Sequence, residues 1–312
     1  MYDATKPYKR QLRQLIQSTW LTPYIEVKDG LYATFQKKFS YPEVDHTDGL
    51  GTKGYYHWQR RTWAAAVQDA LAMNLNDLLL VGAVPYKLQN HLTLPDDDHQ
   101  TILEIIGCLA QECGQRQIAM TGGETSIHNN SDSLELSLTV SGFIKKSFEN
   151  KCRPGDIVIG LPSSGLHSNG FSKVREVFKN ELREEFTTPT VIYSDQLLSV
   201  LDKFELHGLM HMTGGAFTKL LDILSAAADI RLTRDHKLEP QLIFFELYQR
   251  GLTDQEMYQI FNCGVGFIVT VDKDAASLIL KELPKAAIIG EVVKGRGLVS
   301  VESKFSQQVI EF

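Results

Sequence analysis

Apolar positions first fall into register near the start of the chain. Across residues 8–21, Leu12, Leu15, Ile16 and Trp20 share one side of a helical repeat while Lys9, Arg10 and Arg13 occupy the other, which predicts an amphipathic helix. From Leu31 to Val44 the residues turn aromatic and β-branched, with a break at Tyr41-Pro42, so a strand is expected to feed the polar stretch at Asp48. Trp63, Ala66, Val67, Ala70, Leu71 and the run Leu78-Leu79-Leu80 predict a long helix over residues 61–83, closing at Gly82. Residues 86–94 alternate Leu88, Asn90, Leu92 and Leu94 against Lys87, Gln89, His91 and Thr93, as a strand does. Pro95 and Asp96-Asp97-Asp98 end it and open a helix over residues 100–113, whose Ile102, Ile105, Ile106 and Leu109 form a core stripe; the three acids suit a solvated helix start. A short strand over 117–120 and an alternating one over 134–144 complete this half.

The polar, proline-broken stretch Asn150-Lys151-Cys152-Arg153-Pro154-Gly155 interrupts both periodicities and precedes a buried-type strand at 156–161. It divides the chain into residues 1–150 and 151–312, two α/β (α+β) domains, in keeping with a length of 312 residues. The second half mixes helices around Val174, Leu197 and Leu220 with strands near 267–271 and 287–292, and Thr253-Asp254-Gln255-Glu256 has the form of a capping box. A net charge of -6 gives no basic footprint, which argues against a nucleic-acid duplex as partner and leaves small anionic ligands open. The four cysteines, Cys108, Cys113, Cys152 and Cys263, show neither a CxxC pair nor zinc spacing, so reduced thiols in a cytoplasmic protein are expected. The opening residues lack an apolar signal core and no run approaches the ~18 apolar residues of a membrane span, so no membrane partner is expected.

Four compact polar segments interrupt this framework. In Asp48-Gly49-Leu50-Gly51-Thr52-Lys53 the glycines let backbone approach a ligand, Thr52 and Lys53 suit phosphate, and Asp48 suits magnesium; a tight turn with a capping Asp has the same composition. Asn76-Asp77 sets a carboxylate inside an apolar stretch, a conflict that a cation would resolve, although Asn and Asp also frequent helix ends. Gly122-Gly123-Glu124-Thr125 adds a third carboxylate after a strand. His167-Ser168-Asn169-Gly170 places amides and a hydroxyl before a helical pattern, as an anion site or a simple N-cap would, and His211-Met212-Thr213-Gly214-Gly215 repeats the design. Tyr55-Tyr56-His57-Trp58 reads as packing rather than as a stacking platform for a base.

Taken in order, these segments resemble the phosphoribosylformylglycinamidine cyclo-ligase (aminoimidazole ribonucleotide synthetase) family. The resemblance also runs through Gly160-Leu161-Pro162-Ser163-Ser164-Gly165-Leu166, Glu256-Met257-Tyr258, Phe261-Asn262, Gly264-Val265-Gly266 and Ile289-Gly290-Glu291-Val292-Val293. It implies an N-terminal domain whose sheet pairs across a homodimer into a β-barrel and a C-terminal α/β domain that closes over the substrate. It also implies ATP, Mg2+ and ring closure of formylglycinamidine ribonucleotide in purine biosynthesis, with ATP phosphorylating the amide oxygen.

By the same resemblance Asp48, Asp77 and Glu124 are the metal ligands, and Gly49, Gly51, Thr52, Lys53, Gly122, Gly123 and Thr125 contact the nucleotide. Ser168, Asn169, Gly170, Thr213 and Gly214 hold substrate, and His211, His167 and Lys53 serve catalysis. Two stretches depart from the family pattern: the loop at Gly30 keeps a single glycine, and Ser126-Ile127-His128-Asn129-Asn130-Ser131 replaces the usual Met-Pro-Gly-Met-Tyr type segment. Two alternatives stay open, a kinase of another small metabolite on the same fold and a catalytically reduced dimeric nucleotide-binding homologue.

Overall fold

The computed structural model describes residues 7–312, so the expectation drawn from the opening residues Met1 to Lys6 lies outside them. The chain separates into two compact units: one comprises the described residues to Leu78, Ala83–Lys146 and Leu182–Ile192, the other Leu79–Gly82, Ser147–Glu181 and Tyr193–Phe312.

The first unit contains, in order, helix α1 (Lys9–Ser18), strands β1 (Ile25–Lys28), β2 (Thr34–Lys37) and β3 (Glu43–Gly49), helices α2 (Lys53–Arg60) and α3 (Trp63–Leu79), strand β4 (Ala83–Leu94), helix α4 (His99–Gln115), and strands β5 (Ala119–Ile127) and β6 (Glu135–Ile144). Its main sheet has the order β3-β6-β4-β5. The β3–β6 and β4–β6 pairs are antiparallel, whereas β4 and β5 run parallel. A parallel pair needs a crossover, and α4 supplies it.

One face of this sheet is apolar. Leu88 and Leu92 of β4 and Leu136, Leu138 and Val140 of β6 join one core with Leu12 and Ile16 of α1, Ala70 and Leu71 of α3 and the α4 stripe. Each such aliphatic side chain contributes about 1.5–3 kcal/mol by leaving water. The opposite face is polar, with Gln89, His91, Glu124 and Ser137 exposed. One end of it is covered by Ile25, Tyr86, Ala119 and Phe143, a small cluster against which Phe39 packs.

The long helix expected over residues 61–83 begins later and follows a separate helix. Arg61 caps α2 in the left-handed region at φ 55°, and its guanidinium lies 4.2 Å from the centre of the Trp58 ring. The pattern conceals α2 because Tyr56, His57 and Trp58, three adjacent positions, are all buried and no stripe results. The four-residue tyrosine-tryptophan stretch thus packs, as expected. Two polar segments also sit differently from the reading as strand-end loops: Asp48 lies inside β3, and Gly122-Gly123-Glu124-Thr125 lies inside β5.

The second unit holds β7 (Ile157–Pro162), α5 (Phe171–Phe178), α6 (Ser194–Lys203), β8 (Gly208–His211), β9 (Ala228–Leu232), α7 (Leu242–Gln249), α8 (Asp254–Ile260), β10 (Val265–Val271), α9 (Lys273–Glu282), β11 (Ala287–Lys294), β12 (Val299–Glu302) and β13 (Val309–Glu311). Its seven-stranded sheet has the order β13-β12-β9-β11-β7-β10-β8. Every residue of β10 is buried, as its unbroken Val-Gly-Phe-Ile-Val-Thr-Val text implies. The capping box at Thr253 is formed in both directions with Glu256. At the expected boundary, Asn150 donates to the carbonyls of Leu80 and Leu209 at 3.1 and 3.0 Å and accepts from the Leu209 amide at 2.7 Å.

Candidate functional site

In the first unit a cavity of about 780 Å³ opens beside β5. Helix α1 contributes Lys9, Arg13 and Ile16, the Gly30 loop contributes Asp29 and Tyr32, and the sheet contributes Gln89, Asn90, Gly122, Gly123 and Glu124. Trp20 is fixed in the wall by donating its indole N–H to the Met120 carbonyl at 2.7 Å. Arg13 and Gln17 both bond the Asp29 carboxylate, which ties the Gly30 loop to α1.

Gly123 of β5 is required here, since a Cβ on it would lie 2.3 Å from Asn90 Oδ1, whereas one on Gly122 would make ordinary contact with the Gln89 side chain at 3.4 Å. Asn90 is 5% exposed, and neither its Nδ2 nor its Oδ1 has a hydrogen-bond partner. An unsatisfied buried amide costs about 1–3 kcal/mol, so a partner from the cavity would be favourable. Asn90 carries a signal that sequence reasoning saw and did not use. It is the polar position on the apolar face of β4, between Leu88 and Leu92.

Asp77 of α3 stands beside His46 of β3, and Asn74 of the same helix links His46 to the Asp48 main chain. Helix α3 presents Asn74 and Asp77, one turn apart, toward β3. His46 lies 3.1 Å from Asn74 Oδ1 through Nδ1 and 3.5 Å from Asp77 through Nε2, while Asn74 donates to the Asp48 carbonyl at 3.0 Å. The Asp48 carboxylate accepts from the Gly49 amide at 2.7 Å. Gly49 is pressed against β6, since a Cβ there would lie 2.7 Å from the Leu136 carbonyl, and exposed Gly51 turns the chain at φ 53°. Asn76, fully buried, donates to the Val191 carbonyl at 2.9 Å.

Glu124 does not join this pair. It stands on β5, the edge strand opposite β3, and faces His91 on the exposed side of the sheet. The line Asp48–Leu138–Asn90–Gly123 crosses three strand spacings, roughly 14 Å of backbone. Among the described residues no three His, Cys, Asp or Glu side chains are grouped to hold a metal ion. The single three-carboxylate site expected from the sequence is therefore not assembled within one chain.

Lys53 is also placed differently from the phosphate contact expected of it. It is fully buried, 2.8 Å from the Asp69 carboxylate, and donates to the Thr188 carbonyl at 2.6 Å. Asp69 further accepts from the Thr190 amide and hydroxyl at 2.7 and 2.6 Å and lies 2.8 Å from His57 Nε2. Burial pushes the Asp69 carboxyl up, but Lys53 and His57 outweigh it and hold the group below the usual carboxylate range. Burial also pulls Lys53 and His57 down, against the attraction of Asp69. The exposed neighbour Thr52 remains at the surface of this corner.

In the second unit the expected substrate residues converge. His167 adopts φ 60° and is fully buried; its Nε2 accepts the Ser164 amide at 3.2 Å, which leaves the ring proton on Nδ1. His211, buried at the end of β8, stacks on Phe267 at 6.0 Å. Both histidines flank Tyr193, at centroid distances of 6.1 and 6.4 Å. Gly266 admits this group, because a Cβ there would meet the Tyr193 hydroxyl at 1.9 Å and the His167 ring at 2.6 Å. Gly170, at φ 73°, packs against Phe261 in the same way.

Half-buried Ser168 precedes Asn169, whose Nδ2 is buried without a partner and whose Oδ1 lies 3.8 Å from the Cβ position of Gly214. Lys219, which the sequence reading missed, bonds the Thr213 hydroxyl at 2.7 Å. Asn169, Thr213, Gly214 and Lys219 make a donor-rich corner suited to an anion.

Residues 40–144 match the AIR synthase related protein N-terminal domain, and residues 153–302 match the corresponding C-terminal domain. A phosphoribosylformylglycinamidine cyclo-ligase of Saccharolobus solfataricus is 32% identical over 307 residues, covering 95% of this chain and 92% of the relative. Among solved structures, Escherichia coli HypE superposes with a TM-score of 0.69 at 15% identity, over 97% of this chain and 96% of that one. The hydrogenase maturation protein HypE in complex with ATP gives 0.67 at 15% identity, over 99% and 95%. These structural likenesses establish a shared two-domain α/β fold. Among the described residues no helix is long and apolar enough to cross a membrane.

Proposed function

The chain belongs to the phosphoribosylformylglycinamidine cyclo-ligase family, and from that premise we propose that it closes formylglycinamidine ribonucleotide to aminoimidazole ribonucleotide in an ATP-dependent step of purine biosynthesis. The observation that carries this reading is 32% identity to a named cyclo-ligase over nearly the whole length of both chains. ATP supplies the phosphoryl group that turns the formyl amide oxygen into a leaving group. An amidine nitrogen then attacks that carbon, the carbon–oxygen bond breaks, and phosphate departs.

The first unit's cavity fits a nucleotide in size and lining. Gly122 and Gly123 bring β5 to it, and Lys9 and Arg13 offer cations. Magnesium takes one or two carboxylates and completes its shell with phosphate oxygens and water. Asp77, beside His46, and Asp48, two residues along the same strand as His46, would hold it and neutralise charge on the phosphates. Glu124 acts instead from the cavity wall. In the second unit Ser168, Asn169, Gly170, Thr213 and Gly214 would bind the substrate's anionic end. His211 would move the proton shed by the attacking nitrogen, and His167, held by the Ser164 amide, would orient the loop.

Incubation with formylglycinamidine ribonucleotide, ATP and magnesium should yield imidazole product and phosphate in equal amounts. ATP binding without product would sink the ring-closing reading and favour a binding module; phosphate transfer to another metabolite without ring closure would favour a kinase.

The reading includes a homodimer. The edges β3 and β5 each pair on one side only, and the sheet face between them is exposed and polar, which is consistent with covering by a second copy. Light scattering in solution should then return twice the 35.1 kDa chain mass. A single-chain mass at micromolar concentration would refute the dimer.

A further inference from the structure

Asn90 stands in the wall of the cavity. Its amide is held by packing alone: Leu88 and Leu92 flank it on the buried face of β4, and Gly123 on β5 leaves the space its Oδ1 fills. Both ends of the amide stand without a partner, and Asn90 lines the cavity together with Ile16, Trp20 and Tyr32, whose surfaces are apolar and aromatic. Lys9, Arg13 and Glu124 line the same cavity. The aromatic lining suits a flat heterocycle, and the cations suit phosphates.

We propose that Asn90 is the residue that reads the nucleotide base, taking the 6-amino group of adenine on Oδ1 and the adjacent ring nitrogen on Nδ2. A carboxamide offers one acceptor and one donor side by side, the complement of an amino group next to an unprotonated ring nitrogen. This inference rests on the ATP reading above and adds the residue that selects the base. Gly123 is the positioning residue, since any side chain there displaces the amide.

The test compares ATP with purine riboside triphosphate, which lacks the 6-amino group, by calorimetric binding to the full-length protein. The wild type should bind ATP more tightly by roughly 10- to 100-fold, as expected of a site built to hydrogen-bond the group that is missing. Asn90→Ala should bind both equally, at the level of the analogue with the wild type, and Gly123→Ala should behave the same way. Asn90→Leu should lose the discrimination and also raise the thermal midpoint of the ligand-free protein, because the uncompensated amide is gone. A Asn90→Ala protein that is folded by circular dichroism and still prefers ATP overturns the role of Asn90. A wild type that binds neither nucleotide overturns the ATP reading itself, and a wild type that binds both equally overturns base reading at Asn90 while leaving ATP binding intact.

Discussion

Replacing Asp69 by Ala should cost the first unit about 3–5 kcal/mol of stability, because the change strands the Lys53 ammonium in a site with no exposure. In the intact protein that ammonium is matched by the carboxylate and by the Thr188 carbonyl. Asp69 also binds the Thr190 amide and hydroxyl, so the substitution releases the stretch around residues 188–190 from the body of its unit. Urea denaturation would show the midpoint falling; an unchanged midpoint would mean that the cluster does not stabilise the fold. The double variant Lys53→Met with Asp69→Leu should recover part of the loss, since it leaves no charge buried alone, while the Thr190 amide and hydroxyl and His57 still lose their acceptor.

The same cluster sets a pH dependence. Asp69 has a folded value below its unfolded one, so its contribution is complete above roughly pH 4 and fades as pH falls through the lower, folded value. His57 is likewise lowered, so the stability it lends as a neutral ring is present above roughly pH 6.5 and declines on acidification. Stability should therefore fall in two steps toward acid. Removing Asp69 should erase the lower one.

Much of this architecture was readable from local pattern. The stripes of α1 and α4, the alternation of β4 and β6, the unbroken apolar text of β10 and the capping box at Thr253 each encode their own element. What the sequence concealed depends on partners far along the chain. Lys53 looked like a phosphate ligand because its neighbours are glycine and threonine, yet its partner Asp69 is 16 residues away and Thr188 is 135 away. Glu124 looked like a companion of Asp48 because both follow glycine-rich or strand text; only the order β3-β6-β4-β5 sets them on opposite edges. Asn90 was placed on the right face of β4, but that its amide lacks a partner follows from Gly123 and the cavity, which no local pattern encodes.

Asp77→Asn should lower turnover by roughly a hundred- to a thousand-fold, the several kcal/mol that a metal ion contributes to phosphoryl transfer, while leaving the fold intact. The substitution preserves shape and removes the carboxylate charge beside His46. Its signature should be a dependence on magnesium shifted to higher concentration, with ATP affinity measured without metal little changed. Asp48→Asn should behave alike, since its carboxylate stands on the neighbouring strand and bonds only its own Gly49 amide among the contacts described for it. Glu124→Gln provides the contrast: on the far edge of the sheet, in the cavity wall, it should alter ATP affinity and leave the magnesium requirement where it was. If Glu124→Gln shifts the magnesium dependence as strongly as Asp77→Asn, the metal is shared across a distance that one sheet does not close. The two carboxylate groups must then come from different copies of the chain.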